Sequence, residues 1–166
     1  MTLFIKKLDE NGTIPTYGSK GAACFDMYSS EAVEWKEVYM IKETPINGNL
    51  IQKTEEQVAW EAIIPTSLAF EIQAGYRMDI YPRSGWGFKH NIQLANGTGK
   101  IDSDYRGEVK IKLIAFCPQN ELPKIEKGSR VAQAEINTVI QAEFKEVDNL
   151  SDTERGEGGF GSTGTK

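Results

Sequence analysis

Apolar and polar residues alternate along several short stretches of the chain, and this period of two predicts β-strands. The clearest stretch has apolar side chains at every second position, namely Val109, Ile111, Leu113 and Ala115. The same alternation over residues 68–72 and 76–80, joined by Ala74-Gly75, predicts a hairpin. A further strand is predicted over residues 130–140, with Ala132, Ala134, Ile136 and Ile140 on its apolar side. Because no helical pattern extends beyond a few turns, we predict an all-β barrel or jelly roll.

Residues 31–61 allow two interpretations. Asn47-Gly48 is typical of a two-residue turn and predicts a hairpin with arms at residues 37–45 and 49–60. However, Val58, Ala59, Ala62 and Ile63 also share one face of a helix. We interpret the region as an extended hairpin insert at residues 35–60, and the helix remains the alternative.

The composition is that of one globular domain. The chain has 166 residues, of which 39% are hydrophobic and 26% charged, and this suffices for one sizeable core. We therefore predict a single β domain over residues 1–150, followed by a flexible, glycine-rich C-terminal arm over residues 151–166. No secretory pattern opens the chain and no long apolar run occurs, so we expect no membrane association. A cytoplasmic protein is predicted, or one of the host cytoplasm if its origin is viral.

Charge, histidine and cysteine content restrict the chemistry. A net charge of −5 disfavours nonspecific binding to nucleic acid, so any anionic ligand must be held by a local cluster. His90 is the only histidine, which excludes a His-rich metal site and a Ser/His/Asp triad that does not use it. Cys24 and Cys117 lack metal-type spacing, and we expect free thiols.

The stretch Asn96 to Glu108 combines features of a ligand slot with a carboxylate. Gly97 and Gly99 allow a planar base to approach the backbone, and the stretch is predicted to form a β-hairpin. Asp102 and Asp104 are two residues apart and would share one face of an extended segment. The alternative is an ordinary acidic turn between two strands.

Three other stretches carry candidate anion-binding groups. Arg83, Ser84 and Gly85 follow a strand and suit a phosphate cradle at a loop or helix start, although a solvated arginine in a surface turn has the same pattern. Asp26 interrupts an apolar strand, where capping of neighbouring amides is the commoner role. The glycine-rich terminus could be a disordered tail, or a lid that offers Arg155, Ser162 and Thr163 to a polyphosphate and Phe160 to a base.

These stretches, taken in order, resemble the five motifs of the homotrimeric deoxyuridine triphosphatases (dUTPases). The matching segments are KGAACFDMYS, YPRSG, NGTGKIDSDYRGE, GSRVAQ and RGEGGFGSTG. The resemblance implies a jelly-roll-like β-barrel of the dUTPase type and a homotrimer whose active sites each use three subunits. The implied reaction is hydrolysis of dUTP to dUMP and pyrophosphate, which removes dUTP and supplies dUMP for dTTP synthesis. Mg²⁺ is the implied cofactor, bound by the triphosphate without direct protein ligands.

The resemblance also implies roles for individual residues. Asp102 would be the general base for water attack on the α-phosphate, and Asp26 would hold water of the metal shell or support Asp102. The metal, together with Arg83 and Arg155, would offset the substrate's charge. The implied phosphate ligands are Ser84, Gly85 and Gln133 at the α and β groups, with Arg155, Gly161, Ser162 and Thr163 closing from the arm. The implied nucleoside contacts are Asn96, Gly99 and Ile101 at the uracil edge, Tyr105 at the deoxyribose and Phe160 over the ring.

Two other functions share features with this sequence. A dCTP deaminase shares the implied fold, but Lys112 stands where those enzymes carry a glutamate for proton transfer. A binding module is the second alternative, in which the 35–60 insert contacts a regulatory protein. The presence of every catalytic position favours the hydrolase.

Overall fold

The computed structural model describes residues 1–46 and 50–159, which form eleven β-strands, one short α-helix and one 3₁₀ turn. The strands are β1 (Phe4–Lys7), β2 (Thr16–Tyr17), β3 (Phe25–Tyr28), β4 (Lys36–Ile46), β5 (Leu50–Pro65), β6 (Leu68–Glu71), β7 (Tyr76–Pro82), β8 (Ile92–Leu94), β9 (Gly99–Ile101), β10 (Lys110–Ala115) and β11 (Arg130–Thr138). Helix α1 spans Ser84–His90 and the 3₁₀ turn spans Gln119–Glu121. The all-β prediction is confirmed.

The described strands form two larger sheets and one small pair, all antiparallel. The five-stranded sheet has the order β2-β3-β11-β7-β9, the four-stranded sheet β4-β5-β10-β8, and β1 pairs with β6. Apolar side chains of all three sheets pack into one core, including Met27, Met78, Ile64, Leu113 and Phe70. This arrangement is a jelly-roll-like β fold, as predicted.

β4 and β5 pair antiparallel from Lys36 opposite Glu61 to Ile46 opposite Leu50, which rules out the helical interpretation of this region. The Asn47-Gly48 turn itself lies outside the described residues. β10 pairs with residues 60–65 of β5, so the hairpin continues past the end of β10. Its described side chains at residues 39–43 and 53–58 are exposed.

The predicted hairpin of residues 68–72 with 76–80 is wrong, although both strands exist. β6 pairs with β1, whereas β7 pairs with β11 and β9. A turn closed by the Tyr76 amide on the Gln73 carbonyl, with Gly75 at φ +86°, carries the chain from one sheet to the other. The alternation determines which face of a strand is buried, but both edges of a strand offer the same backbone groups to a partner.

The predicted hairpin at Asn96 to Glu108 is also wrong. β9 pairs with β7, and no strand follows it until Lys110. The Tyr105 amide donates to the Asp102 carbonyl at 3.2 Å, so residues 102–105 form a turn. Asp102 and Asp104 are therefore not on one face of an extended segment.

Candidate active site

Three of the predicted motifs meet at Asp26. Asp26 on β3 lies opposite Gln133 on β11. Its carboxylate lies 3.6 Å from Arg83 Nε and 3.4 Å from Arg130 Nη1, and Gln133 Nε2 donates to the Pro82 carbonyl at 3.0 Å. Two guanidinium groups beside one carboxylate leave a local excess of positive charge. Tertiary structure thus assembles a cationic cluster in a chain of net charge −5.

Arg83, Ser84 and Gly85 lie at the start of a helix, which is one of the two positions that the sequence allowed. Arg83 is the N-cap residue, and the Trp86 and Gly87 amides both bond to its carbonyl at 3.1 Å. The amides of Ser84 and Gly85 precede the first intrahelical bond, so the helix supplies no acceptor for them. Free amides and a guanidinium side by side suit a phosphate oxygen.

A cavity of about 360 Å³ contains the predicted base-reading residues. Asn96, Gly99 and Ile101 all line it. A Cβ at residue 99 would lie 3.1 Å from the Ile80 Cβ, so glycine allows β9 to lie close against β7. We call this cavity the base slot. Its other lining residues are Ile80, Leu94, Ala95, Lys100, Lys110, Ile111 and Lys112.

A second cavity of about 580 Å³ lies beside the base slot and contains Asp102 and Tyr105. Asp102 is exposed at the start of its turn. Tyr105 is held by a bond from its hydroxyl to the Glu108 carbonyl at 3.0 Å, and Glu108 Oε1 accepts from the Ser67 amide at 2.9 Å. The two cavities share the lining residues Lys100, Ile101 and Lys110.

The cationic cluster and the two cavities are separate in this chain. Asp26, Arg83 and Gln133 line neither cavity. The described residues therefore bring together the predicted ligands of the α- and β-phosphates, and separately the predicted base, sugar and general-base residues. In the five-stranded sheet, β11 and β7 lie between β3, which carries Asp26, and β9, which directly precedes Asp102.

The C-terminal arm is described as far as residue 159. Ile140 was predicted on the buried side of a strand, but β11 ends at Thr138 and Ile140 is 93% exposed. Arg155 Nε donates to the Gly158 carbonyl at 2.7 Å within a small turn of the arm itself. The remaining predicted arm residues, Phe160, Gly161, Ser162 and Thr163, lie outside the described residues.

A buried polar network around Asp79 was missed by the sequence interpretation. The side chain of Asp79 is 2% exposed, and it contacts Arg77 Nε at 2.9 Å, Lys100 Nζ at 2.8 Å and Asn137 Nδ2 at 2.9 Å. Burial acts to raise the pKa of Asp79, but hydrogen bonds from these three residues outweigh it and lower the pKa to about 2. Arg77 and Asp79 share one face of a strand, and this spacing of two was the available signal.

The described residues contain neither a candidate metal centre nor a membrane-spanning helix. Within residues 1–46 and 50–159, no three His, Cys, Asp or Glu side chains group closely enough to hold a metal ion. Helix α1, with seven residues, is far shorter than a membrane span, and the described part of the chain has no other α-helix.

Comparisons with known proteins identify the family. The model of the dUTPase family matches residues 49–164. The chain is 48% identical over 164 residues to the deoxyuridine 5'-triphosphate nucleotidohydrolase of Nautilia profundicola, covering 99% of both chains. A mutant dUTPase of Staphylococcus bacteriophage 80alpha with dUpNHpp aligns with a TM-score of 0.74 at 27% identity, covering 99% of both chains. A mutant dUTPase of S. aureus phage phi11, described with a structural Mg(II) ion, aligns with a TM-score of 0.68 at 22% identity, covering 90% of this chain and 99% of that one. The chain belongs to the dUTPase family, which confirms the resemblance found in the sequence.

Proposed function

We propose that this chain is a dUTP diphosphatase in which Asp102 is the general base. The enzyme hydrolyses dUTP to dUMP and pyrophosphate by attack of water on the α-phosphate, and it thereby removes dUTP and supplies dUMP. Membership of the dUTPase family supports the reaction. The single observation that best supports the phosphate site is that Asp26, Arg83 and Gln133 form one cationic cluster. A tetra-anionic substrate requires such a cluster in an acidic chain.

The phosphates bind at the cationic cluster. Ser84 and Gly85 offer amides at the start of α1, Arg83 offers its guanidinium, and Gln133 offers its side-chain amide. Because these donors lie at the start of α1 and on β11, they are held in place before the substrate arrives. Arg155, Gly161, Ser162 and Thr163 of the arm add donors at the γ end, and Phe160 covers the base.

The nucleoside binds at the base slot. Asn96 and the backbone at Gly99 and Ile101 form hydrogen bonds with the uracil edge. Cytosine is rejected because its exocyclic amine is a donor where uracil O4 is an acceptor, and this would leave a buried hydrogen-bonding group of the protein unpaired. Tyr105 lies against the deoxyribose, where a ribose 2′-hydroxyl would clash. The bond from its hydroxyl to the Glu108 carbonyl supports this role, because it fixes the ring.

Asp102 takes a proton from the attacking water. Its exposed carboxylate, at the edge of a cavity that shares Ile101 with the base slot, is available to a solvent molecule. A general base of this kind accelerates a reaction by typically ~10²–10⁴-fold.

Mg²⁺ is the proposed cofactor, held mainly by triphosphate oxygens. The ion favours oxygen ligands and keeps several waters, so phosphate oxygens with a carboxylate that binds its waters would suit it. Asp26 is the carboxylate of the cationic cluster and would hold water of the metal shell. When bound, Mg²⁺ neutralises charge that develops on the phosphates.

A homotrimer joins the two sets of residues. Three observations support sharing between copies: the side chains of the cationic cluster line neither cavity, residues 139–159 line neither cavity, and the apolar side chains of Ile140, Phe144 and Leu150 in that segment are 87–94% exposed. Apolar side chains exposed to this degree along one segment are typical of an association surface. We place the enzyme in the cytoplasm, and this location stays a prediction.

The deaminase alternative is disfavoured at Lys112. Its Nζ lies 2.7 Å from Glu61 Oε2, so the position carries a paired cation where deamination requires a carboxylate. A second function, contact with a regulatory protein, is supported by the hairpin of β4 and β5. It exposes Tyr39, Met40 and Ile41 by 51–62% in a part that continues past β10.

Product analysis tests the proposal. Purified protein with Mg²⁺ is incubated with dUTP, dCTP, dTTP and UTP, and Asp102→Asn is assayed in parallel. Release of dUMP and pyrophosphate from dUTP alone is expected, with kcat lowered at least ~10²-fold in the variant. Ammonia from dCTP would instead support a deaminase, and no product from any nucleotide would contradict an enzymatic role.

A further inference from the structure

β9 is a short edge strand that lines the base slot. It has three residues, lies at the edge of the five-stranded sheet and follows Gly97, whose φ is +70°. A short edge strand has few backbone hydrogen bonds to fix its position. However, Gly99 and Ile101 of β9 line the base slot, where a displacement of less than 1 Å changes what fits.

Asp79 is a carboxylate fixed opposite β9. Two nitrogens of Arg77 donate to its two oxygens at 2.9 and 3.1 Å, and Asn137 donates at 2.9 Å. Asn137 also donates to Glu135 Oε1 at 2.9 Å. These bonds tie the carboxylate to β7 and β11 without any contribution from β9.

Lys100 is the residue of β9 that contacts this carboxylate. It lies opposite Asp79 in the strand register, and its Nζ is 2.8 Å from Asp79 Oδ1. Successive side chains of a strand point to opposite faces, so Ile101 packs towards the core while Lys100 is held on the other face. The ion pair therefore attaches β9 to a fixed point from the side away from the core.

We propose that Lys100, held by Asp79, is a positioning residue that keeps β9 in place and thereby sets the discrimination between uracil and thymine. The inference rests on the proposed role of Gly99 and Ile101 at the uracil edge. It adds an ion pair that positions β9, formed by Lys100, which also lines the base slot, and Asp79, which lines neither cavity. If the β9 backbone is rigid, it excludes the 5-methyl group of thymine, whereas a β9 backbone that can shift admits this group. Lack of a methyl pocket alone would discriminate weakly.

The test compares Lys100→Met with Lys100→Arg, which keeps the charge, and with Lys53→Met as a matched control. Lys53 Nζ lies 2.8 Å from Glu43 Oε1 in the hairpin of β4 and β5, away from the site. For each variant, kcat and KM are measured with dUTP and dTTP, together with the melting temperature. The dissociation constant of the α,β-imido analogue of dUTP is measured by calorimetry.

We expect Lys100→Met to raise KM for dUTP about fivefold and relative turnover of dTTP about tenfold, with kcat for dUTP changed less than about twofold. Lys100→Arg restores the discrimination, and Lys53→Met leaves every value as in the wild type. Lys100 is half-exposed at a sheet edge, and Lys100→Gln gives the same comparison if the methionine variant fails to fold.

The proposal would be overturned if Lys100→Met keeps the wild-type preference for dUTP over dTTP and the wild-type dissociation constant of the α,β-imido analogue, whatever happens to the melting temperature. If the wild type does not hydrolyse dUTP, the proposed function fails separately. Analogue binding then still decides the positioning role, because weaker binding by Lys100→Met supports it and equal binding overturns it.

Discussion

The ring of Tyr105 lies against the backbone of Gly107. A Cβ at residue 107 would come within 2.5 Å of the Tyr105 hydroxyl oxygen and 2.7 Å of Cζ. The ring of the proposed sugar-binding residue thus occupies space that only a glycine leaves free. Gly107 is therefore part of the site, although it offers no side chain to a ligand.

Gly107→Ala is expected to displace the Tyr105 ring and break its bond to the Glu108 carbonyl. We expect the preference for dUTP over UTP to fall about tenfold, because the ring no longer blocks the 2′-hydroxyl. Steady-state kinetics with both nucleotides measures this. Gly18→Ala is the control, since a Cβ there meets no atom within 4 Å. An unchanged preference in Gly107→Ala would contradict the role of Tyr105.

The lowered pKa of Asp79 makes the free energy of unfolding depend on pH. Its pKa is lowered from 3.8 to about 2, because hydrogen bonds to the ionised form outweigh burial. The carboxylate therefore stabilises the fold above pH 3.8, and this contribution is lost as the pH falls through about 2. Its size is about 2 kcal/mol.

Asp79→Asn removes that contribution, so we expect the difference in stability from the wild type to be largest at neutral pH and to narrow between pH 4 and 2. Urea unfolding at a series of pH values measures it. Glu43→Gln, in an exposed ion pair, is the control and should change stability by less than about 1 kcal/mol. A difference that stays constant with pH would show that ionisation of Asp79 does not matter.

The hairpin of β4 and β5 is expected to be dispensable for hydrolysis. Tyr39 pairs with Gln57, so an Asn-Gly turn can replace residues 40–56 without changing the register of the remaining pairs. We expect kcat and KM to stay within about twofold of the wild type, because the exchange touches neither the cationic cluster nor the two cavities. A large loss of activity in a variant that still folds would place the hairpin in the site.

Apolar residues in the segment between β11 and the C-terminal arm are expected to stabilise the proposed trimer. Replacing Ile140, Phe144 and Leu150 with serine removes side chains that are 87–94% exposed in one copy, and each would contribute ~2 kcal/mol if buried in a neighbour. Light scattering should give a trimer for the wild type and smaller species for the triple variant at low concentration. Glu143→Ser with Glu146→Ser is the control on the same segment. A monomeric wild type would contradict the shared site.

Strand positions were predictable, but strand partners were not. The alternation at residues 109–115 correctly identified β10 and its buried side chains, and the same pattern located β6 and β7. Their predicted pairing failed because β6 is next to β1, which is more than sixty residues earlier in the chain. The pairing of β9 was also not predictable from local pattern, because its partner β7 is separated from it in the chain by α1 and β8.

The candidate site divides in a similar way. Local composition placed Arg83 to Gly85 in a loop or at a helix start, and the structure has the helix start. Around Asp102 it favoured a hairpin over an ordinary acidic turn, and the structure has the turn. The burial of Asp79 was not predictable, because an acid that alternates with Met78 and Ile80 belongs by pattern to the exposed face of its strand. Three partners from β7, β9 and β11 compensate its burial, and they are adjacent only in the folded chain.

The sequence by itself determined the family and the all-β class and supplied the candidate reactive groups, because these depend on residue types at short spacings. Only the tertiary structure decided that Asp26, Arg83 and Gln133 form one cluster, that Asp102 lies apart from it, and that Lys100 is held by Asp79. Each of these depends on backbone pairing between segments distant in sequence. Backbone hydrogen bonds are the same for every residue, so side-chain pattern alone does not determine which segments pair.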